Sequence, residues 1–159
     1  MAIKLFYTIF LALLIALFVG FGIDTFYSSP EPPEYPSRLE VLKPDNTMSD
    51  EDRTAFEEYD QAQKQYQEKS KIYNRNVSII ALVAAIIILI LSLTFLSKIK
   101  MIADGILLGG ILTTAYGIIR GLMSDSSRFR FFVIAIGLLI AVVLGYIKFI
   151  RPKENSGKK

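Results

Sequence analysis

The sequence predicts an all-α fold: a four-helix transmembrane bundle whose second span continues into a long helical stalk outside the membrane. Three observations carry this. Hydrophobic residues make up 52% of the 159-residue chain, and mean hydropathy is +0.42. They are concentrated in four blocks, each near the roughly 20 residues a helix needs to cross a hydrocarbon core of about 30 Å. Finally, residues 45–104 contain neither Gly nor Pro, so no breaker separates the charged middle of the chain from the second block.

The first span, 5–23, has 19 residues and no charge. A cleaved signal peptide is its rival reading, since Lys4 precedes an apolar core. That core is long for an h-region, however, and the best small-x-small sequence, Gly20-Phe21-Gly22, is a poor cleavage site. We read the segment as an uncleaved anchor.

Residues 24–49 form an external Pro-rich segment. Pro30, Pro32, Pro33, Pro36 and Pro44 exclude a regular helix and favour extended, polyproline-like backbone. Ser49 then caps an external helix over 50–75. Asp52 stands at the capping-box position where Glu or Gln is usual, so the box is imperfect. With the second span, 76–97, this predicts one helix over about 50–97, roughly 72 Å long at 1.5 Å per residue.

One face of the stalk is periodic. Phe56, Tyr59, Tyr66 and Tyr73 recur at heptad-like spacing, with Gln63 and Ser70 between them. They are the candidate contact residues for a membrane-protein partner or a second copy through a coiled coil. The same stripe also suits cover by the chain's own Pro-rich segment, through Tyr35, Leu39, Val41 and Leu42. Gln and Ser weaken a coiled-coil seam, which wants sustained apolar positions, so self-packing is the preferred reading.

The third span, 101–122, carries Asp104 and Arg120, and the fourth, 131–150, carries Lys148. A basic tail, 151–159, follows and is suited to anionic headgroups or to fixing orientation. Small residues recur every four positions: Thr8, Ala12, Ala16 and Gly20 in span one; Gly105, Gly109, Thr113, Gly117 and Gly121 in span three; Gly137, Ala141 and Gly145 in span four. Span two is bulkier, with Ser78, Ala81 and Ala85 as small residues near its outer end. Close approach through small side chains drives association in lipid, and a short connection predicts that spans three and four pair as an antiparallel hairpin.

The Lys/Arg bias places both termini in the cytoplasm. On that side fall Lys4, Lys98, Lys100, Lys148, Arg151, Lys153, Lys158 and Lys159, whereas residues 24–75 hold 12 acids and 7 bases. Arg128 and Arg130 on the short outer turn argue the other way. The expected location is the bacterial cytoplasmic membrane, with the lipid bilayer as first partner.

Ionisable residues within spans are candidate functional groups. Asp104 suits a helix N-terminus and lies four residues from Lys100, and Arg120 can reach outward toward Asp125. The two are about 24 Å apart along a helix and cannot pair directly. The chain has no His and no Cys, which removes Ser/His/Asp and Cys/His nucleophilic sets and the commonest metal ligands. No phosphate-binding Gly loop or internal repeat is present. We therefore expect no enzyme activity, no cofactor, no metal and no nucleic-acid partner.

The run Phe21-Gly22-Ile23-Asp24-Thr25-Phe26-Tyr27, followed by Pro30-Glu31-Pro32-Pro33-Glu34-Tyr35-Pro36, resembles the first-span exit of uncharacterised bacterial four-span membrane proteins. The resemblance covers about 20 residues and implies no activity or substrate. The large first outer loop is also similar to claudin topology, but the paired loop cysteines of that family are absent. Two functions follow as expectations: a non-enzymatic membrane interaction or scaffold protein with its stalk as contact surface, or a small transporter or channel component using Asp104 or Arg120.

Overall fold

A computed structural model of the chain describes residues 2–37, 49–94 and 99–150, with residues 149 and 150 described by backbone only. Four long helices dominate: α1 (Ala2–Phe26), α2 (Asp50–Thr94), α3 (Lys100–Leu122) and α4 (Ser127–Gly145), the last continued by a π-helical turn at Tyr146–Ile150. Each is long and apolar enough to cross a bilayer. Large apolar side chains point outward, including Phe10 at 61%, Phe18 at 80% and Leu138 at 65% exposure. A continuous outer surface of this kind needs lipid as its solvent.

The cap predicted for α2 forms reciprocally. Ser49 donates from its backbone N and its Oγ to Asp52 Oδ2, at 3.1 and 2.6 Å, and Asp52 N donates back to Ser49 Oγ at 3.2 Å. Asp therefore closes the box despite its shorter side chain. The helix runs 45 residues without interruption, about 68 Å. Its end, expected near residue 97, is described as far as Thr94, since 95–98 lie outside the described residues. Ile99 has φ −110° and ψ 78°, off the helical region, so α2 and α3 are separate elements.

After α1, whose last turn is closed by Tyr27 N donating to Ile23 O at 2.7 Å, residues 28–36 form no regular structure. They run back along the stalk. Tyr27 stacks on Tyr73, ring centroids 5.3 Å apart and planes within 4°, and Tyr35 meets the edge of Tyr59 at 5.1 Å. Fourteen helical residues between the two tyrosines of α2 span about 21 Å. The eight residues from Tyr27 to Tyr35 cover about 25 Å as polyproline II. A nearly extended backbone is thus what the distance requires, and prolines hold it so. Leu39, Val41 and Leu42, expected in the same cover, lie outside the described residues.

Spans three and four do meet as the expected antiparallel neighbours, but this is the lesser contact of span three. The third helix is central, and it lies chiefly against α2 and α1 rather than α4. Its glycines explain why. Gly105 and Gly109 lie against Leu11 and Ile15 of α1, whereas Gly110 lies against Leu89 of α2 and Gly117 against Leu82 and Ala81. Two glycine rows on one helix admit two neighbours closely. The fourth helix meets α3 at its stalk-side end, where Gly137 takes Ile118 and Val133 reaches Gly121. Gly145 and Gly20 have nothing within 4 Å of an added Cβ, so the predicted small-residue rows of spans four and one close only in part.

The few small residues of span two supply its buried face: Ser78, Ala81 and Ala85 are each at 0% exposure. Two hydroxyls fix the pairing. Ser78 Oγ donates to Gly117 O and Ser92 Oγ to Ala103 O, both at 2.7 Å. The bonds lie fourteen residues apart on both helices, so one antiparallel register serves both.

Candidate functional site

The charged residues of α3 sit at opposite ends, and each is met by groups from other helices. At the stalk-side end Arg120 Nη1 donates to Asn74 Oδ1 of α2 at 2.9 Å. Its Nε donates to the Tyr116 hydroxyl one turn earlier at 3.2 Å. The guanidinium carbon lies 5.7 Å from the Tyr73 ring centre and 5.4 Å from that of Tyr116, within cation–π range. Tyr27 stacks on Tyr73, and its hydroxyl accepts from Asn76 Nδ2 at 2.8 Å. Groups of α2 and α3 thus surround one cation, and the residue that follows α1 packs behind them. Asp125, expected to pair with Arg120, is instead 3.1 Å from Lys71 Nζ. The planar guanidinium is better placed between rings, and the flexible Lys71 takes the exposed carboxylate.

Tyr73 stands on the stalk, outside the apolar run. Burial pushes its phenol above the ordinary value, against the pull of the Arg120 guanidinium. It is therefore a neutral ring in this cluster, suited to stacking and to a cation.

At the opposite end, which we call the far side, Asp104 was expected near Lys100. Its partner is Lys148 of the π-helical turn, with Nζ 2.5 Å from Oδ1 and both side chains partly exposed. The pair edges a cavity of about 420 Å³ lined by Ser92, Leu93, Lys100, Ala103, Asp104, Leu107 and Lys148. Between the two charged ends, Thr113 and Thr114 turn their hydroxyls onto the carbonyls of Gly109 and Gly110, at 2.8 Å each. Their polarity is used within α3. No buried side-chain nitrogen or oxygen among the described residues lacks a hydrogen-bond partner.

The four candidate contact residues of the stalk have different surroundings. Phe56 is 47% exposed, and Tyr59 and Tyr66 are half-buried. Tyr73 is 6% exposed and belongs to a cluster with Ile23, Val77 and Ala81, against which Val19, Tyr27 and Tyr116 pack. The stripe is thus taken up by the chain at its membrane end and more open toward its tip.

Sequence reasoning singled out Arg120 but missed the Asn74, Tyr116 and Tyr27 around it. Tyr116 was legible, because four residues separate it from Arg120 on one helix face. Asn74 and Tyr27 needed the packing of three helices. Comparison with protein-family models, curated proteins and solved structures gives no match.

Proposed function

We propose that this is a non-enzymatic membrane scaffold or interaction protein that presents the outer half of α2 as its contact surface. The observation that carries the reading is the unbroken 45-residue helix. It is capped at its tip, braced by the 28–36 strap and continuous with a span packed in register against α3. Such a rod holds its tip at a fixed height above the bilayer, and Phe56, with Tyr59 and Tyr66 beside it, is the apolar part of that tip. The strap's hold on Tyr73 and Tyr59 supports a stalk stiffened by its own chain, with contact through the residues left uncovered.

Against the transporter alternative stand the compensated charges. Asp104 is bound to Lys148 and Arg120 to Asn74 and Tyr116, and about 24 Å of tightly packed Gly/Thr helix separates them. The Lys/Arg distribution supports a cytoplasmic location for both termini and an external stalk.

Photo-crosslinkers at Phe56 and Tyr66, in membranes from the native host, test the reading. The expected result is one adduct of the same mass from both positions and none from Gln61 on the opposite face. Adducts equally abundant from Gln61, or none from any position, would remove the stalk as a contact surface. Loss of the phenotype in Asp104→Asn with normal folding would instead favour the transporter.

A further inference from the structure

The fourth helix stands away from α2 and α3 on the far side, and two furrows flank it. One, of about 310 Å³, runs between α2 and α4 and is walled by residues such as Ile86, Leu89, Ile90 and Val143. The other, of about 490 Å³, runs between α3 and α4 past Ile111, Ala115, Ile118 and Ala141. Ile140 and Leu144 line both, so they form the ridge between them. Each furrow also reaches the polar cavity at Asp104: the first shares Leu93 with it, and the second shares Leu107 and Lys148. The three spaces make a single fork with apolar tines and a charged base.

We propose that this fork binds one anionic diacyl phospholipid, with its phosphate at Lys100 and Lys148 and one acyl chain on each side of the Ile140–Leu144 ridge. Charge selects the headgroup. Asp104 offsets Lys148, while Lys100 has no ion-pair partner among the described residues, which leaves one net positive charge at the base. Lys148 has three N–H donors and gives one to Asp104, so two remain for a phosphate oxygen. A zwitterionic lipid would bring a second cation to the same place. Basic pockets between spans at a membrane face are suited to anionic headgroups.

Length selects the chains. The furrow on α3 extends from Lys148 to Gly137 and the one on α2 from Ile147 to Leu139, about 16 and 12 Å along α4. A single leaflet of the hydrocarbon core is about 15 Å deep. Thr114, the one hydroxyl in these walls, is already bonded to Gly110 O, so the furrows present hydrocarbon to hydrocarbon. A free phosphate ion would leave them unfilled.

The test uses the full-length chain purified in a neutral detergent. Melting is followed on addition of phosphatidylglycerol, phosphatidylcholine or inorganic phosphate. Phosphatidylglycerol is expected to raise the Tm saturably, and the other two to have little effect. Lys100→Gln should weaken phosphatidylglycerol about fivefold, the effect of one cation near a lipid surface. The double variant Asp104→Asn/Lys148→Gln removes the Lys148 donors without leaving a carboxylate unpaired and keeps the net charge of the base, so it should weaken binding less than Lys100→Gln. Leu144→Trp should abolish binding by filling both furrows while leaving the charges in place. Equal effects of phosphatidylcholine would reduce the site to ordinary lipid contact, and an equal effect of inorganic phosphate would reduce it to a surface anion site; either overturns the proposal. Where a variant fails to fold, the unaltered chain decides. A phosphatidylglycerol with a photoreactive acyl chain should label Ile111, Ala115, Ile86 and Ile90, and even labelling around α1 and α4 would refute the fork.

Discussion

Gly121→Ala places one methyl group where α2, α3 and α4 meet. An added Cβ would lie 2.7 Å from Ser78 Oγ and 2.9 Å from both methyls of Val133. Neither neighbour has room to retreat, since Ser78 is at 0% and Val133 at 1% exposure. Overfilling such a junction costs about 1–3 kcal/mol. Displacing the Ser78 hydroxyl from Gly117 O adds about 0.6 kcal/mol, the average for an interhelical bond in a membrane. Exchanging Gly for Ala in a helix returns about 1 kcal/mol. The net expectation is destabilisation by about 0.6–2.6 kcal/mol. Gly20→Ala is the matched control: nothing lies within 4 Å of its added Cβ, so only the helix gain remains and it should be neutral or slightly stabilising. Reversible unfolding in mixed micelles titrated with a denaturing detergent measures both. A Gly121→Ala variant as stable as the parent, or an equal loss in Gly20→Ala, would refute the three-helix junction.

The strap should depend on its aromatic contacts. Tyr27→Ala removes a stack worth about 0.5–1.5 kcal/mol beyond its buried area, and should speed protease cleavage within 28–36, with a smaller effect from Tyr35→Ala; unchanged cleavage would count against cover of the stalk. Ser49→Ala removes the α2 cap, worth about 1 kcal/mol, and should speed amide exchange in the first turn about fivefold while the Ser78–Ser92 region is unaffected. A double-mutant cycle on Arg120→Met and Asn74→Ala should give a coupling of about 1 kcal/mol, and additivity would mean that their hydrogen bond contributes nothing. Reporters fused at the two termini and within the stalk should put the termini inside and the stalk outside, and any other pattern would displace the orientation argued from the basic residues.

Most of the helical layout was legible because lipid imposes it. An apolar run of some 20 residues must close its own backbone hydrogen bonds, which located the four spans, and the Gly- and Pro-free stretch through Asn76 and Val77 announced the long helix. The Ser49–Asp52 cap was readable from four residues. Neighbour choice was not. A row of small residues shows that some helix can approach, and Gly105 and Gly109 do admit one, but nothing local says that it is α1 rather than α4. The same holds for the charges. Asp104 and Arg120 were conspicuous, yet Lys148 and Asn74 became their partners only through the way α3 sits among three other helices. Tyr73 illustrates the converse case: its heptad spacing with Tyr59 and Tyr66 suggested one common surface, and its position at the membrane end placed it in a closed cluster.

The unbroken course of α2 has a mechanical consequence. Because the segment that carries Phe56 and the segment that carries Ser78 and Ser92 are one rod, torque applied at the tip cannot be absorbed at a hinge. It must be carried to the two serine hydroxyls held on α3, which would have to slip register to relieve it. A load on the tip is thereby felt on the far side of the bilayer, where Ser92 and Ala103 adjoin the Asp104–Lys148 pair.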